Sequence, residues 1–199
     1  HIRIYDEIFK TMRFERPSSS IRLMNELGIL QHILPEIHVL DGFEQGGQHR
    51  YDVFEHTMRV MDALRDTDTI EYLQGNNLTP MLEMAALYHD VGKAVNGIKQ
   101  IRDVRGDERS TFYDHEKIGA SIFMDRFLES YINKAELKKT SSLINYHMYF
   151  VDKNTHKKGP IRKLLRKLTT LHGNDAETVL RGLIALHHAD VRGCDGTTN

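Results

Sequence analysis

The run Met84-Ala85-Ala86-Leu87-Tyr88 leads directly into His89-Asp90-Val91-Gly92-Lys93. This is an apolar helical stretch whose small alanines permit close approach of a neighbouring helix, and it ends in an imidazole and a carboxylate. Adjacent helical side chains diverge by about 100°, so His89 and Asp90 reach a common point only if the helix stops there. Gly92 is the residue expected to stop it. A neutral imidazole beside an ionised carboxylate suits a first-row divalent cation, and Lys93 leaves a positive charge where a phosphate could dock. Standing alone, the pair also reads as a simple helix cap, so the remainder of the chain has to decide.

That remainder is patterned as helices. Ile4, Tyr5, Ile8, Phe9 and Met12 keep helical spacing over residues 2–12. Pro17, followed by serines suited to capping, opens a second stripe of Ile21, Leu23, Met24, Leu27 and Leu30, interrupted at Gly28 and closed at Leu34-Pro35-Glu36. Residues 41–48 turn polar and glycine-rich, which puts a boundary between a small N-terminal helical lobe, 1–45, and a larger domain, 46–199. From Tyr51 a helix carries Val53, Thr57, Val60, Met61 and Leu64 inward, with Asp52 as a favourable charge near its start and His56 on the buried face. The helix of the doublet spans 78–89, with Pro80 in its first turn.

Between Val95 and Arg109 no helical face persists. Ile98, Ile101 and Val104 hint at a short hairpin, but the segment reads mainly as a loop over the site, with Lys99, Arg102, Arg105 and Arg109 as cations. Asp114 is a natural N-cap for a helix through Ile118, Ile122, Phe123 and Phe127 that holds His115 in its first turn. A helix over 134–150 points Leu137, Leu143, Ile144 and His147 inward. Gly159-Pro160 starts an amphipathic helix with Ile161, Leu164, Leu165 and Leu168 on one face and Arg162, Lys163, Arg166 and Lys167 on the other, readable as a solvated face or as an RNA contact. The last helix, 174–190, ends in His187-His188-Ala189-Asp190-Val191-Arg192-Gly193.

Composition narrows the chemistry. The 199 residues carry a formal net charge of −1, so any nucleic-acid contact is local rather than global. One cysteine, Cys194, excludes an internal disulfide and a thiolate zinc site and agrees with a reducing, cytoplasmic compartment. No apolar run approaches the roughly 20 residues of a membrane span, and no secretory signal opens the chain. It starts at His1, which reads as a tag remnant or a cut from a longer protein. There are 12 histidines, and His56, His89, Asp90, His115, His147 and Asp190 each lie on or at the end of an amphipathic helix. Such a nitrogen and oxygen set suits manganese, iron, cobalt, nickel or magnesium better than a structural zinc.

These residues resemble the HD-domain phosphohydrolases, named for a His-Asp doublet, in which a histidine, the doublet and a distal aspartate hold a metal; His56, His89-Asp90 and Asp190 match those positions. More closely, the chain resembles the C-terminal body of bacterial tRNA nucleotidyltransferase and poly(A) polymerase-like proteins, the CCA-adding family. The matching stretches are Asn25-Glu26-Leu27-Gly28-Ile29-Leu30 through Leu34-Pro35-Glu36, Gln48-His49-Arg50-Tyr51-Asp52-Val53-Phe54-Glu55-His56-Thr57, His89-Asp90-Val91-Gly92-Lys93, Asp114-His115-Glu116-Lys117-Ile118-Gly119-Ala120 and Ala189-Asp190-Val191-Arg192-Gly193. The nucleotide-adding head of that family, with its Gly-Ser-type loop and paired aspartates after a strand, has no counterpart in these residues, so nucleotide addition is not expected of them.

The resemblance implies an all-α fold, an HD-domain helical bundle with the small N-terminal lobe, and metal-dependent hydrolysis of a phosphomonoester or a 2′,3′-cyclic phosphodiester, with RNA ends as a candidate substrate. One or two divalent ions are expected, held by His56, His89, Asp90 and Asp190, with His115 and His147 either binding the second ion or transferring protons. Lys93 and Arg192 are expected to neutralise phosphate charge, and Cys194 to be incidental. The competing expectation is a non-catalytic body that grips tRNA for a head these residues do not contain. A nucleotide triphosphohydrolase or alarmone hydrolase of the same superfamily fits less well, because the stretch around Leu34-Pro35-Glu36 is the wrong signature.

Overall fold

A computed structural model describes residues 2–46, 50–66, 69, 73, 80–104, 107–150 and 158–195. Of the sequence expectations, those resting on Gly47, Gln48, His49, Leu78, Arg105, Gly106 and the side chain of Arg109 lie outside the described residues.

The fold is an all-α bundle. Its helices are α1 (Ile2–Thr11), α2 (Pro17–Glu26), the single turns α3 (Leu30–Ile33) and α4 (Pro35–His38), α5 (Val53–Ala63), α6 (Pro80–Tyr88), α7 (His115–Phe127), α8 (Lys134–Tyr146), α9 (Lys158–His172) and α10 (Ala176–Asp195). Tight 3₁₀ turns at Val91–Ala94 and His147–Phe150 follow α6 and α8. The sheet is one antiparallel hairpin, β1 (Lys99–Val104) with β2 (Asp107–Phe112), in register from Lys99 opposite Phe112 to Val104 opposite Asp107. The expectation of a loop there is corrected. Strands pair through backbone groups, so a polar hairpin needs no periodic apolar face to form.

α6 is the axis of the bundle. Met84, Ala85, Ala86, Leu87 and Tyr88 are all fully buried, and α5, α8 and α10 pack around it. Ile8, Phe9, Met12, Ile21, Leu30, Leu34, Ile37 and Leu40 from the first 45 residues join the same hydrophobic core as Val53, Met58, Met61 and Leu64 of α5. A charged clamp fastens them. Arg126 of α7 forks onto Glu36 of α4, with Nε to Oε1 at 2.8 Å and Nη2 to Oε2 at 2.5 Å, and Tyr88 Oη donates to the same Glu36 Oε1 at 2.7 Å. Burial, then the neighbouring Glu36 charge, pushes the Tyr88 phenol well above its ordinary value, so it stays a donor. The end of α6, where the doublet begins, is thereby tied to α4 and α7.

Several local expectations change. α2 runs 17–26 and a turn through Gly28 at φ +68° precedes α3, a backbone conformation that glycine adopts without cost. Leu34-Pro35-Glu36 does not close the segment, because Pro35 opens α4. No serine caps α2; Ser18 Oγ instead bonds Asp62 of α5. Asp52 is a true cap, accepting from Glu55 N at 2.7 Å. Asp114 is not: it stands at φ 60°, its carboxylate holds Lys117, and its carbonyl accepts from Lys117 N and Ile118 N.

Candidate metal centre

His56 lies in the middle of α5, His89 and Asp90 at the end of α6, His115 at the first position of α7, His147 just past α8 and Asp190 within α10. The bundle brings all six together. His56, His89, Asp90, His115 and His147 are buried, and Asp190 keeps 17% of its side chain exposed, toward a cavity.

Asp90 is the hub. Its Oδ2 lies 3.3 Å from His89 Nε2 and 3.6 Å from His56 Nε2, while Oδ1 lies 3.3 Å from His115 Nε2 and 3.8 Å from His147 Nε2. Asp190 Oδ1 closes the first group, 3.0 Å from His56 Nε2 and 3.7 Å from His89 Nε2. The two histidine pairs have Nε2 to Nε2 separations of 3.3 Å each. One carboxylate thus faces two nests of imidazole nitrogen. Ligand atoms bound at about 2.1 Å to one ion lie roughly 3.0 Å apart at right angles and 3.4 Å apart in a tetrahedron; the shorter separations in each nest, 3.0 and 3.3 Å, fall in that range and the longer ones, 3.6 to 3.8 Å, lie just above it.

The backbone fixes which nitrogen points inward. His89 Nδ1 lies 2.7 Å from Ala86 O, His115 Nδ1 2.7 Å from Phe112 O and His147 Nδ1 2.7 Å from Ile144 O. A carbonyl only accepts, so each Nδ1 carries a proton and Nε2 is the nitrogen that each ring turns to the centre, as a lone pair wherever the ring is neutral. Lone pairs facing one another at 3.3 Å repel unless a cation or proton lies between them, and the donor set therefore fits divalent ions. Electrostatics agrees. Burial, then the His89 charge, drives the His147 imidazole down to about 3, so it is neutral. Burial opposes ionisation of Asp90 and Asp190, but the facing histidines, together with Lys93 for Asp90, hold both carboxyls below the ordinary range. Burial also opposes charge on His89, and Asp90 and Asp190 outweigh it, holding that imidazole above its ordinary value.

Lys93 sits at the site with its ammonium already engaged, donating to Asp90 Oδ2 at 2.6 Å and to Gln45 Oε1 at 2.7 Å. Arg192 is a correction: its guanidinium pairs with Asp66 at 3.0 Å and lines a different cavity with Arg22, Glu55, Arg59 and Asp62. On α10, Arg192 falls two residues beyond Asp190, about 200° around the helix, so the two cannot share a face. Cys194, four residues after Asp190, does share its face and lines the metal cavity, with Sγ within 4.8 Å of ligand atoms of His56 and Asp190. The expectation that it is incidental overlooked that i, i+4 spacing. Gln45 also escaped notice, as nothing around it in sequence marks it as a partner of Lys93.

The cavity above the cluster encloses about 800 Å³. His56, Asp90, His115 and Asp190 of the cluster reach its lining, and Phe112, Tyr113, Met148 and Phe150 make apolar walls. Ser110, Thr111 and Phe112 of β2 line the cavity, so the hairpin borders it, and Arg102 lies over the Tyr113 ring at 4.9 Å.

The HD domain profile matches residues 53–192, the span that contributes all six residues of the cluster. The chain belongs to the HD domain family. A second profile, described as a probable RNA and SrmB-binding site of polymerase A, matches residues 2–40. Among curated relatives, the chain is 30% identical over 146 residues to the A-adding tRNA nucleotidyltransferase of Deinococcus radiodurans, covering 73% of this chain and 31% of that protein. It is 27% identical over 146 residues to the CC-adding tRNA nucleotidyltransferase of Thermus thermophilus, with the same coverage. It is also 27% identical over 140 residues to the bifunctional uridylyltransferase/uridylyl-removing enzyme of Vibrio vulnificus, covering 63% of this chain and 14% of that protein. The chain therefore spans about a third of the tRNA nucleotidyltransferases it matches. Within the HD domain Asp90 is the residue of the doublet that faces both nests, and His89 belongs to the first.

Proposed function

We propose that this HD domain is a metal-dependent phosphohydrolase acting on a phosphomonoester or a 2′,3′-cyclic phosphodiester, with RNA ends as the substrate class. The observation that carries the reading is Asp90, whose two oxygens each face a separate pair of inward Nε2 atoms at the floor of an 800 Å³ cavity. His56, His89, Asp90 and Asp190 would hold one divalent ion, manganese, nickel, cobalt, iron or magnesium; Asp90, His115 and His147 would hold a second. Such ions supply a bound water that ionises near neutral pH and polarise a phosphoryl oxygen.

The protein's own groups do the rest. The carbonyls of Ala86, Phe112 and Ile144 hold the Nδ1 side of three rings, so Nε2 is the nitrogen each ring offers to an ion. Lys93 offsets the carboxylate charge and, from the cavity lining, meets a phosphate oxygen. Phe112, Tyr113, Met148 and Phe150 hold the organic part of the ester and exclude water from it. An RNA-holding body without turnover is the second reading, favoured by the profile over residues 2–40.

Purified protein stripped with chelator and reloaded with manganese or nickel is tested against an aryl phosphate and a 2′,3′-cyclic nucleotide. Turnover that disappears in His89→Ala and Asp90→Ala, with helical circular dichroism retained, supports the enzyme. RNA binding without turnover under every metal would establish the second reading instead.

A further inference from the structure

The 3₁₀ turn His147–Phe150 has two sides. Met148 and Phe150 line the metal cavity, whereas Tyr149, with Tyr146 one 3₁₀ turn before it, lines a separate cleft of about 480 Å³ against Gly159, Pro160, Lys163, Leu164 and Lys167 at the start of α9. Tyr149 Oη donates to Pro160 O and ties the turn to α9. Lys167 holds its ammonium 5.0 Å from the centroid of the Tyr146 ring. The turn that opens with His147 thus sends side chains into both recesses.

α9 differs electrically from the rest of the fold. Elsewhere cations are mostly neutralised locally: Arg22 and Arg59 by Glu55, Arg65 by Glu83, Arg126 by Glu36, Lys139 by Glu136, Arg181 by Glu177. α9 carries Lys158, Arg162, Lys163, Arg166 and Lys167 with no carboxylate in its 15 residues, and no carboxylate partner for these five is found among the described residues. In a chain of net charge −1 this is a concentrated positive strip beside two half-open tyrosine rings. Aromatic faces interleaved with lysines are the chemistry that takes an unpaired base and its backbone phosphates. A volume of 480 Å³ is of the size that admits one nucleotide.

We infer that this Tyr146, Tyr149, Lys163 and Lys167 cleft is a nucleotide subsite for single-stranded RNA, whose strand crosses the 147–150 turn with its terminal phosphate in the metal cavity. The inference rests on the proposed function for the direction of the strand, but not for binding itself. The test is equilibrium binding of the full chain to a fluorescein-labelled single-stranded RNA of about ten nucleotides, followed by fluorescence anisotropy in EDTA across a salt series, where absent turnover has no influence. Lys163→Gln with Lys167→Gln is expected to weaken binding at least 10-fold and to lower the log–log salt slope by about 1.4, two phosphates at roughly 0.7 each. Tyr146→Leu is expected to weaken it roughly 5- to 100-fold, with Tyr146→Phe restoring the affinity and with melting temperatures verifying the fold of each variant.

Lys134→Gln with Lys138→Gln removes two charges from α8 outside the cleft and is expected to change affinity less than 3-fold. Equal losses from the α8 and α9 pairs would overturn the subsite, since the attraction would then be general. So would wild-type affinity in Tyr146→Leu, or an acidic peptide that binds where the RNA does not.

Discussion

Replacing Gly92 by alanine probes how the doublet is coupled to the second nest. A Cβ on Gly92 would lie 2.1 Å from His115 O, 2.9 Å from His115 C and 3.0 Å from Gly119 N. These are backbone atoms at the start of α7, with no rotamer through which to retreat. Restoring ordinary contact requires the first turn of α7 to withdraw by about 1 Å. Two effects follow from that displacement. Overpacking of this kind costs about 1–3 kcal/mol, and with backbone on the far side the upper end applies, a fall in Tm of roughly 6–12 °C for a chain of this size.

The displacement also moves His115, whose Nε2 now stands 3.3 Å from Asp90 Oδ1. Metal ligation tolerates about 0.2 Å, so the ion proposed at Asp90, His115 and His147 would be lost while the one proposed at His56, His89, Asp90 and Asp190 would stay. Thermal unfolding followed by circular dichroism and elemental analysis after manganese loading give the two readouts. The expected result is a lower Tm and two ions per chain reduced to one. A Gly92→Ala protein with unchanged Tm and unchanged stoichiometry would refute the argument from close approach.

Three further outcomes are expected. Metal at about 100 times its dissociation constant should stabilise stripped protein by about 2.7 kcal/mol, roughly 5–10 °C in Tm, and Asp90→Ala, which removes the carboxylate facing both nests, should abolish the shift. Glu36→Gln breaks the fork from Arg126 and weakens the acceptor of Tyr88, costing about 2–4 kcal/mol in urea unfolding; a loss below 1 kcal/mol would mean the clamp is not holding α4. Glu83 is fully buried, and burial raises its carboxyl to about 7 against the opposing pull of Arg65. Its folded state binds the proton more tightly than the unfolded one, so stability falls as pH rises from the ordinary value of 4.5 through 7. The size of this loss is about 3 kcal/mol. Glu83→Gln should therefore gain about that much on wild type between pH 4.5 and pH 8, and an offset independent of pH would refute the assignment.

How far the site was legible depended on the kind of signal. His56, His89, His115 and His147 each interrupt an apolar stripe, and periodicity alone marks such a residue as inward. Arg192 and Lys93 were read from proximity in sequence. Lys93, three residues from Asp90, is in contact with it, while Arg192, two residues from Asp190 on a helix, faces another cavity. The hairpin was only hinted at by Ile98, Ile101 and Val104, because strand pairing is set by the backbone of two segments rather than by a pattern within either. Gly92 was legible as a required glycine but for a different reason: it carries no left-handed φ, and α6 has already ended at Tyr88.

The sequence by itself determined the helices, the inward histidines and the electrically distinct α9, because each is a local pattern of period, charge or residue type. Only the tertiary structure decided that Asp90 offers one oxygen to each of two histidine pairs, that Cys194 borders the centre and Arg192 does not, and that one turn separates the metal cavity from the tyrosine cleft. Those relations join residues from five helices, and distances between helices are set by how the core packs, which no single stretch of chain encodes.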